Sequence, residues 1–404
     1  MLLTGATLAD GSVADLALTG EVIASVHPAG AANPDSGEQV LDLTGYVLLP
    51  AFAEPHAHLD KAYTTEDVGS LDGTLAGAIT AWRSYRRQLG IDEIAARARA
   101  AALRALAHGV TAIRTHTDVA EGIGTRGVEA LVKVREDLSA VLDIQVVAFS
   151  HPLSGPGGTQ NRRLLEAAVE AGTDLVGGAP HLDPDPAESL AYCLRLAESA
   201  GLPVDLHMDE NLGERLDLAE LARMVSDGFA QPVTASHCVS LGMAPVTVQD
   251  EVAAAVARAG ISVITLPMTN LYLQSRERAC ASPRGLTAVR ALLRAGVTVA
   301  AGEDNVQDPF NPLGRADPIG TAQLLVLAAH LDPHEALELV SSGARTVLGL
   351  PCSQIEPGAP ADLVAIAGSS LCEAMATATE DRVVIRRGRV VSRSRVLHEA
   401  LGQP

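Results

Sequence analysis

The chain of 404 residues carries a formal charge of -19 and is 47% hydrophobic but only 2% aromatic. Such acidity argues against a nucleic-acid partner or an anionic membrane surface, and Ala, Val and Leu must fill the core. Five dispersed cysteines without a C-x-x-C pair, no apolar run of the ~18–20 residues a membrane helix needs and no secretory leader together predict a cytoplasmic protein without disulfides.

In chain order, Leu16 to Val26 reads as two short β runs about a glycine turn, and Pro28 to Gln39 as a loop. The apolar run Tyr46 to Phe52 reads as one strand leading into Glu54-Pro-His-Ala-His-Leu-Asp60. At the far end Ala361–Ala367 and Arg382–Val391 are again β, the second a hairpin at Arg387-Gly388. Both ends are β while the middle alternates. The termini, residues 1–48 and 353–404, are therefore expected to form one small β-sandwich domain beside a central domain of residues 49–352.

The middle repeats one pattern: an Ala/Leu-rich helix, a glycine, then a short apolar strand. The glycines are Gly109, Gly172, Gly201, Gly260 and Gly296, placed where a helix takes a left-handed C-cap. With the runs ending near His58, Ser150 and Ser236 there are eight βα units, which predicts an α/β fold, a closed (β/α)8 TIM barrel. A doubly wound open sheet is the alternative, but no G-x-G-x-x-G follows an early strand.

Chemistry in such a barrel sits at the C-terminal strand ends. Most of the twelve histidines fall there. His56, His58 and Asp60 end the first strand, His116 and Asp118 the second, His151 the third and His181 with Asp183 the fourth. His207, Asp209 and Glu210 end the fifth, His237 the sixth, Asn270 the seventh, and Glu303, Asp304 and Asn305 the eighth. Side chains at i and i+2 of a strand share a face, so His56 and His58 converge. With His207 and the Asp304 carboxylate they suit one divalent ion, Zn²⁺ or Fe²⁺, whose open position would hold a water of lowered pKa. Glu210 is the candidate general acid/base, and His237 the candidate to orient or deprotonate that water. For His116 and His181 a hydrogen-bonded polar layer is an equal alternative. Lys61 is placed at the pocket rim, with a solvated loop lysine as its alternative.

These residues resemble the amidohydrolase superfamily, and within it the cytosine-deaminase-like branch. The motifs are Glu54-Pro-His-Ala-His-Leu-Asp60, Thr115-His-Thr-Asp-Val119, Val146-Val-Ala-Phe149, Gly178-Ala-Pro-His181, Asp205-Leu-His-Met-Asp-Glu210, Thr234-Ala-Ser-His237, Asn270-Leu-Tyr-Leu-Gln274 and Gly302 to Phe310. The resemblance implies His56, His58, His207 and Asp304 as ligands of one Zn or Fe ion. It implies Glu210 as proton donor to a ring nitrogen, and His237 and Asp304 as partners of the attacking metal-bound hydroxide. The implied activity is hydrolysis of an exocyclic amino group from a cytosine-like pyrimidine, pterin or triazine, with release of ammonia.

The departures touch the ring's edge. His151 stands where the branch has a Gln, Asn305 replaces a second Asp, and Phe310 a Trp. With Lys61 and His181 these are the expected substrate contacts. A rewritten hydrogen-bond code rejects a ring strongly, so cytosine is not expected to be the best substrate. The run His58-Leu-Asp-Lys61 is also similar to hydrolases of N-substituted amino-triazines, where an alkylamine leaves. A cyclic amide hydrolase of hydantoinase or dihydroorotase type is a further alternative. It usually needs two metals bridged by a carboxylated lysine of the fourth strand, which has none here. A scaffold that had lost catalysis would have shed ligands. A homo-oligomer is left open.

Overall fold

Eight parallel strands follow one another round a barrel, in chain order. They are Phe52–Ala57, Val110–Asp118, Asp143–Ser150, Leu175–Gly178, Val204–Met208, Val233–His237, Ser262–Thr265 and Val299–Ala301. This computed structural model describes residues 1–32, 37–68, 72–352, 354–397 and 399. The expected loop Pro28–Gln39 thus lies partly outside the described residues. The order is the one expected of eight βα units, because a right-handed crossover returns each strand beside its predecessor. Helices end where the glycines predict. Gly201 (φ 67°) closes Pro186–Ala200 in the left-handed conformation, and Gly260 (φ 66°) follows Val246–Arg258.

The core is built from small aliphatic side chains. In Ile91–Ala107 the buried positions Ile94, Ala98, Ala101 and Ala105 form a stripe at helical spacing against the barrel. Narrow alanine faces let helices sit close to the strands, which is how a chain so poor in aromatic rings fills its interior.

The terminal segments pair into a second sheet of eight strands. Leu2–Thr7, Val13–Thr19, Val22–Pro28, Val40–Asp42 and Tyr46–Pro50 come from the beginning, and Leu363–Ala367, Arg382–Arg386 and Arg389–Arg393 from the end. The join is Tyr46–Pro50 against Leu363–Ala367, antiparallel. Here the sequence reading needs correction: Tyr46 to Phe52 is two strands in two sheets. The Ala51 N–H donates to the Asp362 carbonyl, whereas the Phe52 N–H donates to Gly109 O in the barrel. Both partners are remote in sequence, so the local pattern carries no sign of the switch. A buried ion pair ties the sheet to the barrel: Arg382 donates twice to Asp317, at 2.9 Å each. Among the described residues no helix is long and apolar enough to cross a membrane.

Candidate active site

The barrel closes where its chemistry lies. Ala57 and Asp304 form a single parallel bridge, and the His58 N–H donates to Asp304 O at 3.1 Å. Behind this joint, Glu54 accepts from the His56 N–H (3.1 Å) and the Glu303 N–H (3.0 Å), so one carboxyl group fixes both strand ends. His237 (φ 69°) and Asp304 (φ 75°) hold left-handed backbone although neither is glycine. Such conformations cost about 1–3 kcal/mol and concentrate at functional sites.

The four expected ligands converge. His58 Nε2 lies 3.2 Å from His207 Nε2 and 3.4 Å from Asp304 Oδ1, and His56 Nε2 lies 3.7 Å from the same oxygen. Two donors that share one ion at about 2.0–2.1 Å in tetrahedral array sit roughly 3.3–3.4 Å apart, so these edges fit a cation. His56 Nε2 and Asp304 Oδ1 are buried with no hydrogen-bond partner among the described residues. Orphaned lone pairs of this kind are costly unless something binds them. Burial, and then the neighbouring cations and rings, holds His56, His58 and His207 well below the usual imidazole value, so they are neutral as ligands must be. His56, His58 and Asp304 lie close enough to hold a metal ion, as do His56, His207 and His237, and His58 Nε2 meets His207 Nε2 between the two sets.

His56 is oriented from below. Its Nδ1 lies 2.9 Å from Ser236 Oγ, which donates to Asp205 Oδ1 at 3.0 Å, while Arg114 donates to Asp205 Oδ2 at 2.8 Å. Nδ1–H then points to Ser236 and Nε2 stays free. Ser236→Ala is expected to weaken metal affinity or activity by about 10–100-fold without unfolding the protein, read from metal content and Tm.

His237 and Glu210 face the same space. His237 Nδ1 lies 3.1 Å from Asn270 Oδ1 and 3.6 Å from Glu210 Oε1. An amide oxygen only accepts, so Nδ1 carries the proton and Nε2 is a bare lone pair. That Nε2 is buried and unpartnered among the described residues. Burial pushes the imidazole down to about 3, and burial alone pushes the Glu210 carboxyl up to about 8. At neutral pH the pair is a neutral base beside a protonated acid. Gln274 donates to the Glu210 carbonyl at 3.2 Å and steadies its backbone. Asn270 lies in the helix Pro267–Leu273, after its strand has ended.

A cavity opens onto these groups. His58, His207, Glu210, His237 and Asp304 line it, and so do Lys61, His151, Asn305 and Phe310. Asn305 is already engaged, donating to Asp308 at 2.7 Å and accepting from Thr269 at 3.2 Å. His181 is not among the lining residues; its Nδ1 lies 3.1 Å from the His207 carbonyl. His116 also stays out of the cavity, stacked on His56 with centroids 3.9 Å apart.

Lys61 is neither solvated nor at the rim. It is buried, with Nζ 3.0 Å from His58 Nδ1 and 3.2 Å from Asp118 Oδ1. The sequence reading missed its surroundings. Trp82 Nε1 and Arg86 Nη1 both donate to Asp118 Oδ2 at 2.6 Å, and the helix Leu75–Tyr85 walls the cavity with Leu75, Ile79, Trp82 and Arg83. The available signal was helical spacing around the chain's single tryptophan. Burial pushes the Asp118 carboxyl up, but Lys61 and Arg86 outweigh it and hold the group well below the usual carboxylate range. Asp118→Asn leaves the buried Arg86 without its counterion and Lys61 with only Asp60, 3.7 Å away, and is expected to cost about 3–5 kcal/mol. A depressed folded-state pKa stabilises above the unfolded value. The gap between wild type and variant in urea melts should therefore be full above about pH 4 and shrink below it.

The sequence and fold match known proteins along nearly their whole length. A sequence profile described as the amidohydrolase family matches residues 66–392. A pterin deaminase of Rhizobium rhizogenes is 35% identical over 394 residues, covering 94% of this chain and 88% of that protein. An N-isopropylammelide isopropyl amidohydrolase of Pseudomonas sp. is 28% identical, covering 96% and 95%. The crystal structure of a 5-methylcytosine deaminase from Klebsiella pneumoniae superposes with a TM-score of 0.89 at 28% identity, over 99% of this chain and 100% of that one. The chain belongs to the amidohydrolase family and is a hydrolase of carbon–nitrogen bonds that uses a single divalent metal ion.

Proposed function

We propose that the protein hydrolyses an exocyclic amino group from a small nitrogen heterocycle and releases ammonia, with His56, His58, His207 and Asp304 holding the metal. What carries the reading is the pairing of a free His237 Nε2 with a protonated Glu210 in the cavity onto which His58, His207 and Asp304 also open. The ion, when bound, makes a water acidic near neutral pH and polarises it toward an electrophilic carbon.

The chain's own residues supply the proton transfers. His237 Nε2 takes a proton from the attacking water. Glu210 gives its proton to the ring nitrogen next to the attacked carbon, so no anion develops on the ring. The carbon–amine bond then breaks, the proton held by His237 leaves with the nitrogen as ammonia, the remaining hydroxyl proton passes to the Glu210 carboxylate, and a ring carbonyl remains. One water is consumed and both proton-transfer groups can be reset.

Pterin is the leading ring class, since the relative named for pterin shares 35% identity over nearly the whole chain. His151 and Asn305, in place of the expected Gln and Asp, argue against cytosine. Ring-amide hydrolysis is disfavoured because the fourth strand, Leu175-Val-Gly-Gly178, offers no lysine to bridge two ions. The test is ammonia release by protein loaded with Zn²⁺ or Fe²⁺ on pterin, 5-methylcytosine, ammelide and N-isopropylammelide. Ammonia from one ring class is the expected result. Isopropylamine alone, or a ring-opened acid from a hydantoin run beside them, would overturn the reading.

A further inference from the structure

We propose that Arg83 sets the specificity of this cavity by binding a carboxylate carried on the heterocycle's edge remote from the leaving amino group. The inference rests on the aminohydrolase reading and narrows it: the preferred substrate is a carboxylated aminoheterocycle.

The helix Leu75–Tyr85 turns Leu75, Ile79, Trp82 and Arg83 to the cavity, at i, i+4, i+7 and i+8. Three of them offer a flat ring an apolar wall, and the fourth is a cation. Three cations line the cavity, but two of them, Lys61 and Arg86, share Asp118. Arg83 has no carboxylate within ion-pair distance among the described residues. Its one hydrogen bond runs to His151 Nδ1, 3.2 Å away. Burial, then Arg83 itself, pushes that imidazole down to about 3, so it is neutral and supplies no countercharge.

Burial and then Arg86 work against the Arg83 charge, yet a guanidinium does not give up its proton. It keeps most of its five N–H donors for an incoming group. Arg83 is itself exposed, at the edge of the cavity, where Lys61 and Arg86 are buried; Asp118 supports its charge from beyond ion-pair distance, which leaves the guanidinium open to a carboxylate on a bound ring. One planar fork between apolar neighbours matches a carboxylate. A phosphate dianion would want a second free cation, and the other two are committed. The orientation follows from strand order. His151 follows the third strand and His237 ends the sixth, so Arg83 lies across the barrel mouth from the proton-transfer pair.

The experiment compares two matched pairs of rings: pterin with pterin carboxylated at C6 of its pyrazine ring, and pterin with pterin carboxylated at C7. In wild type, kcat/KM is expected to favour the carboxylated member of at least one pair by about tenfold or more. In Arg83→Met that ratio falls to near one, through KM rather than kcat. Arg83→Lys, which keeps charge without the fork, falls between. Arg87→Met, an exposed arginine of the same segment that does not line the cavity, keeps the ratio. Calorimetric binding of the matched deaminated products to wild type and Arg83→Met gives the same comparison without turnover. Equal handling of bare and carboxylated rings by wild type, or a preference that survives Arg83→Met, overturns the proposal. Carboxylate-dependent binding lost in Arg83→Met but without ammonia from any ring would uphold Arg83 and sink the reaction assigned above.

Discussion

Glu210→Gln is expected to lower kcat/KM for ammonia release by about 10²–10⁴-fold while metal content and Tm stay at wild-type values. The substitution keeps the shape and one hydrogen-bond donor but removes the transferable proton. Burial alone holds that proton on Glu210 up to about pH 8, so the native group is a loaded acid in the cavity at neutral pH. A Gln amide cannot protonate a ring nitrogen, and the breakdown step would stall with substrate bound. The loss should therefore fall on kcat, with KM little changed. A variant that kept a tenth or more of wild-type kcat would remove Glu210 from the proton path and leave it a packing role.

Asp304→Ala and His207→Ala are expected to abolish bound metal and activity together, a loss of about 10³-fold or more. The two residues approach the same point from the eighth and fifth strands, and each lies within 3.4 Å of His58 Nε2. Adding metal should raise Tm in wild type, because binding to the folded chain alone stabilises it by mass action. In the variants the shift should vanish. Elemental analysis beside calorimetry separates this outcome from that of Glu210→Gln, where metal stays and only turnover goes. Full metal content in Asp304→Ala would mean that the ion is held elsewhere.

The parts of the site that were legible in the sequence are those whose position follows from strand period and strand ends. His56 and His58 converge by the i, i+2 rule, and His207, His237 and Asp304 fall at the ends of the fifth, sixth and eighth strands once eight are counted. The barrel itself was legible through glycines such as Gly201 and Gly260, which need left-handed backbone at the helix ends. What escaped depends on contacts remote in sequence. Nothing local to Lys61 says that Asp118 draws it inward, or that Trp82 and Arg86 converge on the same carboxylate. Nothing local to Arg83 says that it meets His151 beside the cavity. The change of sheet at Ala51 was likewise hidden, because its partners Asp362 and Gly109 belong to other parts of the chain. Substrate-facing residues are the hardest class to read from sequence, since a helix wall is specified by packing and carries no motif of its own.

The most direct test of the account is a metal titration of the stripped protein, with bound ion and ammonia release followed in the same samples on whichever ring proves active. Activity is expected to be absent in the metal-free protein, to rise in proportion to bound Zn²⁺ or Fe²⁺, and to reach its plateau at one ion per chain. Turnover without metal, or a plateau reached only at two ions, would contradict a one-metal aminohydrolase built on His56, His58, His207 and Asp304.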